Sequence, residues 1–206
     1  MMLVVGLTGS IGMGKSTAAA RFRARGISVF DADAEVHRLY AGPLAEEIER
    51  AFPGSLTDGT VDRAKLTEHL IVAPHRFREL EAIVHPRVHE AERKFLQAEH
   101  SDGAALAVLE VPLFLEASRD EHVDAIVVVT ASDDVQRQRV LARAGMTDAK
   151  FEAIVGRQLP EAEKQARADF VVDTSGSVEN CNSQIDIIIT KLPALSATAY
   201  EQFWRD

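Results

Sequence analysis

The chain has a single cysteine, Cys181, so no disulfide can form within it, and a reducing compartment is the expectation. It has no apolar run near the roughly 18 residues that a membrane-spanning helix requires. Residues 1–7 carry no basic flank and are too short for a secretory leader, so a soluble, cytoplasmic protein without a membrane partner is expected. Basic blocks are also missing. Lys plus Arg number 23 against 32 Asp plus Glu, a net charge of −9. Such a chain is poorly suited to neutralising a nucleic-acid backbone, and nucleic acid is excluded as the expected partner. No repeat and no low-complexity tract interrupts it. Aromatic residues are few, at 6%, yet the 46% hydrophobic content of 206 residues is ordinary for a globular protein with a sizeable core.

The most informative stretch lies at the start. Residues 3–7 form a short apolar run that reads as a buried parallel strand. Gly9, Ser10, Ile11, Gly12, Met13, Gly14, Lys15 and Ser16 then satisfy G-x-x-x-x-G-K-[ST] at every fixed position, and Thr17 opens a helix-forming segment. Strand, glycine loop and helix together are the context this motif needs. The loop amides and the positive end of the helix can cradle a phosphate. Lys15 can reach the outer phosphates, and the Ser16 hydroxyl is placed to ligate Mg²⁺. The expected ligand is a nucleoside triphosphate.

A second strand near residues 27–30 ends in Asp31-Ala32-Asp33, at the edge where open α/β sheets bind ligands. One of these aspartates can cap the following helix; the other can accept a proton from an attacking hydroxyl. Residues 43–100 read as helical, with loops at Pro53-Gly54 and Asp58-Gly59. Pro86 is expected to interrupt or kink a helix after His85. His85 and His89 stand four apart, but no third metal ligand accompanies them, so a structural or substrate-contacting role is favoured over zinc. Further strands are expected over 104–111, 124–130 and 168–173. Between the last two, Gln136, Arg139 and Arg143 share a helix face that suits phosphate contact. Residues 185–192 read as a helix or strand, and the tail from Pro193 as peripheral. Five strands alternating with helices predict an α/β fold: a P-loop nucleoside-triphosphate-binding domain with a parallel five-stranded sheet flanked by helices.

Neither an Asn-Lys-x-Asp guanine reader nor a Leu-Ser-Gly-Gly transporter signature is present, which leaves a small-molecule kinase. At this point the chain resembles the dephospho-coenzyme A kinases. The resemblance runs from Gly6 to Gly176. It is carried by Gly6-Leu7-Thr8-Gly9 with the loop, by Asp31-Ala32-Asp33, by His85-Pro86, by Gln136, Arg139 and Arg143 with Gln158 downstream, and by Asp169-Phe170-Val171-Val172-Asp173. It implies one kinase domain over 1–206, with a core of about 1–44, 101–136 and 159–206. A helical acceptor-binding insertion would span about 45–100, and a lid about 137–158. It also implies transfer of the γ-phosphoryl group of ATP, with Mg²⁺, to the ribose 3′-hydroxyl of dephospho-CoA, with no obligate protein partner.

In that family Asp33 would be the general base, and Lys15 with the loop would hold the ATP phosphates. Arg139 would offset charge in the transition state, and Arg143 would approach the nucleotide under the closed lid, with Thr174 near the adenine. His85, Pro112, Leu113 and Leu115 would line the acceptor site. Three positions depart from the family pattern: Phe114 stands one place early in Pro112-Leu113-Phe114-Leu115-Glu116, Thr174 replaces an Asn, and Met13 replaces a small residue. Two rivals remain at this stage. A P-loop kinase for another small metabolite would phosphorylate that acceptor and not dephospho-CoA. A nucleotide-sensing regulator would be indifferent to loss of Asp33.

Overall fold

A computed structural model describes residues 1–112, 114–116 and 120–205. Leu113 lies outside the described residues, so the expectation attached to it has no structural counterpart. The described chain falls into two compact units, one of residues 1–30 with 95–206 and the other of residues 31–94.

The first unit is built on β1 (Leu3–Thr8), β2 (Ser28–Asp31), β5 (Leu106–Glu110), β6 (Ala125–Thr130) and β7 (Phe170–Asp173). They form a parallel sheet in the order β2–β5–β1–β6–β7. Leu7 of β1 pairs with Glu110 of β5, and Thr8 pairs with Val128 of β6. The sheet order turns outward in both directions from β1. The loop after β1 therefore emerges at a topological switch point, where a crevice opens beyond the strand ends.

Side-chain alternation explains why these strands read as unbroken apolar runs. Leu3, Val5 and Leu7 enter one core with Val127 and Val129, against Phe22 of α1 (Lys15–Ala24) and Ile185 of α9 (Val178–Lys191). Met2, Val4, Ile126 and Val128 enter the other, with Leu96, Phe114 and Trp204. Both faces are covered, so neither can be polar. The segment of residues 185–192, left open between helix and strand, belongs to α9 and its exit.

The tail is not peripheral, contrary to expectation. Trp204 is fully buried and its indole N–H donates to the His122 carbonyl at 2.7 Å. Asp124 fastens the preceding residues, its Oδ1 accepting from the amides of Thr198 (2.7 Å) and Ala199 (2.8 Å) and its Oδ2 from Val4 (2.8 Å). The attachment depends on one indole and one distant carboxylate, which sequence periodicity does not bring together.

The second unit contains α2 (Ala32–Tyr40), α3 (Ala45–Ala51), a short antiparallel ribbon of β3 (Leu56–Thr57) and β4 (Thr60–Val61), and α4 (Arg63–Val72). The ribbon falls where only loops were expected. Asp58 and Gly59 make its two-residue turn with φ of 49° and 77°, the left-handed pair that a tight hairpin demands. Pro86 neither ends nor divides its helix. A single helix, α5 (Phe77–Ser101), passes through it. Proline removes one amide donor from a ladder of 25 residues, and the buried Val84, Val88 and Leu96 hold the helix on both sides of the gap.

Candidate active site

Gly14 supplies the turn from β1 into α1. Its φ is 83°, it stands at the N-cap, and its carbonyl accepts from Thr17 at 3.0 Å. Gly12, at φ 77°, takes the same left-handed backbone. Both are also pressed from behind. A Cβ on Gly12 would come within 2.5 Å of Val140, and one on Gly14 within 2.8 Å of the Thr174 hydroxyl. Beyond Gly14 the first amides of α1, those of Lys15 and Ser16, take no backbone partner among the described residues. Unspent amides at a helix start, with the helix dipole behind them, are an anion site.

The lysine of this site is held, not loose. Lys15 Nζ lies 3.6 Å from Oε1 of Glu110, the last residue of β5, which is only 4% exposed. Arg23 approaches the other oxygen of the same carboxylate at 3.6 Å. Buried charge of either sign is costly unless matched, and the Glu110 carboxylate and the Lys15 ammonium match each other beside the loop. In sequence, Glu110 is the one charged residue of the apolar run over 104–111. An acid at the end of a buried strand beside a phosphate loop was the signal available for it.

Behind the loop, Thr174 is buried and fully engaged. Its hydroxyl donates to the Met13 carbonyl at 2.8 Å and accepts from Arg139 Nη1 at 3.0 Å. Arg139, on α6 (Asp133–Leu141), also donates to the Thr174 carbonyl at 2.6 Å and to the Gly12 carbonyl at 3.4 Å. Met13 turns its thioether inward to accept from the Ala131 amide at 3.0 Å. Thr174 and Met13, two of the departures from the family pattern, thus support the loop as neighbours through one hydrogen bond.

The expected arginine face divides. Gln136 is buried and donates to the Ile11 carbonyl at 2.8 Å, while Arg143 lies beyond the end of α6 and is exposed. On the far side of α7 (Asp148–Val155), Gln158 accepts from the Ile11 amide at 3.1 Å. The amide and the carbonyl of one loop residue, Ile11, are therefore each held by a glutamine.

After β5, Thr8 donates to the Pro112 carbonyl at 3.1 Å. Phe114 and Leu115 turn into the core, at 0% and 1% exposure, and the Phe114 ring lies where a Cβ on Gly6 would meet it at 3.1 Å. The displaced phenylalanine thus fills space that glycine leaves in β1. Leu115, expected at the acceptor site, is an interior packing residue.

In the second unit the two aspartates part company. Asp31 caps α2, accepting from the Ala34 amide at 2.9 Å. Asp33 lies in the first turn of α2, exposed, with no hydrogen bond or ion pair among the described residues. His85 is exposed on α5.

Residues 3–180 match the family model of dephospho-CoA kinase. The chain belongs to the dephospho-CoA kinase family. A dephospho-CoA kinase from Brucella melitensis is 50% identical over 198 residues, covering 96% of this chain and 99% of the relative. One from Rhizobium meliloti is 49% identical over 193 residues, covering 94% and 100%. A crystal structure from Thermus thermophilus superposes with a TM-score of 0.78 at 34% identity, covering 93% of this chain and 98% of the other. A shikimate kinase from Bacteroides thetaiotaomicron shares the fold alone, with a TM-score of 0.55 at 15% identity over 94% and 99%. As a dephospho-CoA kinase the chain is an ATP-dependent enzyme acting on dephospho-CoA, and the two rival readings fall away.

For a dephospho-CoA kinase, sequence reasoning found the loop and both glutamines but missed Glu110, Glu161 and Lys164, and it placed Glu116 only within the acceptor segment. Glu161 and Lys164 meet Ser10 across more than 100 residues of chain, and Lys164 brings Glu116 to them; no local pattern announces that meeting.

Proposed function

We propose that this kinase transfers the γ-phosphoryl group of ATP to the ribose 3′-hydroxyl of dephospho-CoA, with Asp33 as general base. The observation that carries the assignment is the division of labour in the acidic triplet. Asp31 spends its carboxylate on the helix cap, whereas Asp33 keeps both oxygens open to solvent. A base must be unengaged to take a proton from an attacking hydroxyl.

The donor side follows from the loop. Lys15 and the amides of Gly12, Gly14, Lys15 and Ser16 bind the phosphates, Met13 and Thr17 shape the loop through their own backbone hydrogen bonds, and Gly9, Ser10 and Ile11 set its leading turn. Arg139 faces the charge that builds on the transferring group, and Arg143 joins the nucleotide as residues 137–158 close. Thr174 serves this site by fixing Met13 and Arg139, from behind the loop. His85 and Pro112 contact the acceptor.

Mg²⁺ fits the donor set. Ser16 offers an exposed hydroxyl in the first helical turn, and Glu110 offers a hard, buried carboxylate beside Lys15. When bound, the ion would offset negative charge on the nucleotide phosphates. The enzyme works in the cytoplasm and needs no protein partner.

Nucleotide binding titrated with Mg²⁺ tests the donor assignments. Ser16→Ala is expected to weaken Mg·ATP binding by about tenfold or more while metal-free ATP binds as before. Equal Mg²⁺ dependence in both proteins would remove Ser16 from the metal.

A further inference from the structure

Lys164 lies on α8 (Glu161–Ala166), the helix that follows the lid, and its side chain is 0% exposed. A lysine with no solvent access is uncommon, because the ammonium must replace all its water with protein partners. Its partners here are specific. Nζ lies 2.8 Å from Oε1 of Glu116 and donates to the Ser10 hydroxyl at 3.0 Å. Ser10 in turn donates to Glu161 at 3.2 Å. The Glu116 oxygen that holds Lys164 also accepts from the Leu159 amide at 3.0 Å.

One cation thus joins three segments distant in sequence: the leading turn of the phosphate loop, the end of the 112–116 segment, and the residues immediately after the lid. The neighbouring contacts share this plan. Gln136, just before the lid, holds the carbonyl of Ile11, and Gln158, at its end, holds the amide of the same residue, next to Ser10. Both roots of residues 137–158 are therefore fastened to Ile11, and the segment after the second root also to Ser10. A shift of either root is transmitted to the loop, and the reverse, through hydrogen bonds whose geometry tolerates little displacement.

We infer that Lys164 is a positioning residue for phosphoryl transfer, its buried ammonium locking the lid root and the phosphate loop into one register. It touches neither nucleotide nor acceptor; it acts through Ser10, Glu116 and Leu159. This rests on the reading of 137–158 as the lid. A misplacement near 1 Å in a site that works by positioning costs on the order of a hundredfold in rate. Loss of the lock also gives water access that a seated lid denies.

The test is Lys164→Met, which keeps the length and apolar stem of the side chain but removes charge and donors. The readouts are KM for ATP, kcat, and the ratio of ATP hydrolysed without acceptor to phosphoryl transferred. Amide exchange over residues 144–158 is followed with a non-hydrolysable ATP analogue. The variant should raise KM for ATP by about tenfold and lower kcat by about tenfold, with the hydrolysis-to-transfer ratio rising and nucleotide-induced protection of the lid reduced. A folded variant with wild-type ratio and wild-type protection would overturn the inference, since a purely structural lysine changes neither. If Lys164→Met does not fold, Ser10→Ala cuts the link to the loop and leaves the Lys164–Glu116 pair in place. It should shift the same readouts in the same direction, and unchanged readouts would count against the inference. A wild type inactive on dephospho-CoA would defeat the acceptor assignment, while analogue-induced lid protection would still decide the role of Lys164.

Discussion

Arg139 Nη2 donates to the main-chain carbonyl of Thr174 at 2.6 Å, while Nη1 of the same guanidinium spans the Thr174 hydroxyl and the Gly12 carbonyl. A planar fork with several donors can serve all three acceptors; an ammonium cannot. Arg139→Lys is therefore expected to lower kcat by about two orders of magnitude although the charge is kept. Thr174→Val keeps the shape and removes the hydroxyl. It should raise KM for ATP several-fold and cost about 1 kcal/mol of stability. Steady-state kinetics and urea denaturation of both variants check the pair. Wild-type kcat in Arg139→Lys would show that the bridging geometry is immaterial.

Two glycines separate backbone strain from loop function. Gly14 (φ 83°) and Gly26 (φ 76°) both occupy the left-handed region. An added Cβ at Gly14 meets Thr174 at 2.8 Å, whereas at Gly26 it meets nothing within 4 Å. Each alanine variant should lose about 1–2 kcal/mol from the backbone conformation. Only Gly14→Ala should also abolish tight ATP binding, as calorimetric titration would show.

Trp204 carries a prediction about the C-terminal segment. Trp204→Ala should destabilise the fold by about 3–5 kcal/mol, since it empties a buried site and removes the donor to His122. Loss of about 1 kcal/mol or less in urea denaturation would mean that the C-terminal segment contributes little.

Acid sensitivity centres on Asp186. Arg25 and Arg21 both hydrogen-bond this carboxylate, and they hold it well below the usual carboxylate range. A depressed folded-state value gives stability that is present above the unfolded value of about 3.9 and is lost as pH falls below it. Wild type should therefore exceed Asp186→Asn in stability at pH 7, with the gap closing as pH falls below about 4. Denaturation at pH 7, 4 and 3 measures it. A gap independent of pH would contradict the pairing.

What could be read in the sequence was whatever short-range rules decide. The phosphate loop and the five strands lie within a few residues of their causes, whereas the choice of Asp31 over Asp33 as the cap of α2 was left open until the structure decided it. The Asp58-Gly59 turn was equally local and legible as a hairpin signal, but the strands beside it have only two residues each. Pro86 misled because a local penalty was outweighed by apolar contacts along a long helix. Lys164, Glu116 and Trp204 were out of reach for another reason. Their meaning arises only when residues more than 40 positions apart meet, and single-sequence periodicity contains no such term.

The most direct test of the account is phosphoryl transfer from Mg·ATP to dephospho-CoA by wild type and Asp33→Asn, with ATP affinity measured in parallel. Asparagine keeps the shape of the side chain but cannot take the hydroxyl proton. Wild type should form CoA, and the variant should be slower by about two to four orders of magnitude at unchanged ATP affinity. Equal rates of CoA formation in the two proteins would contradict the assignment of Asp33 as the base.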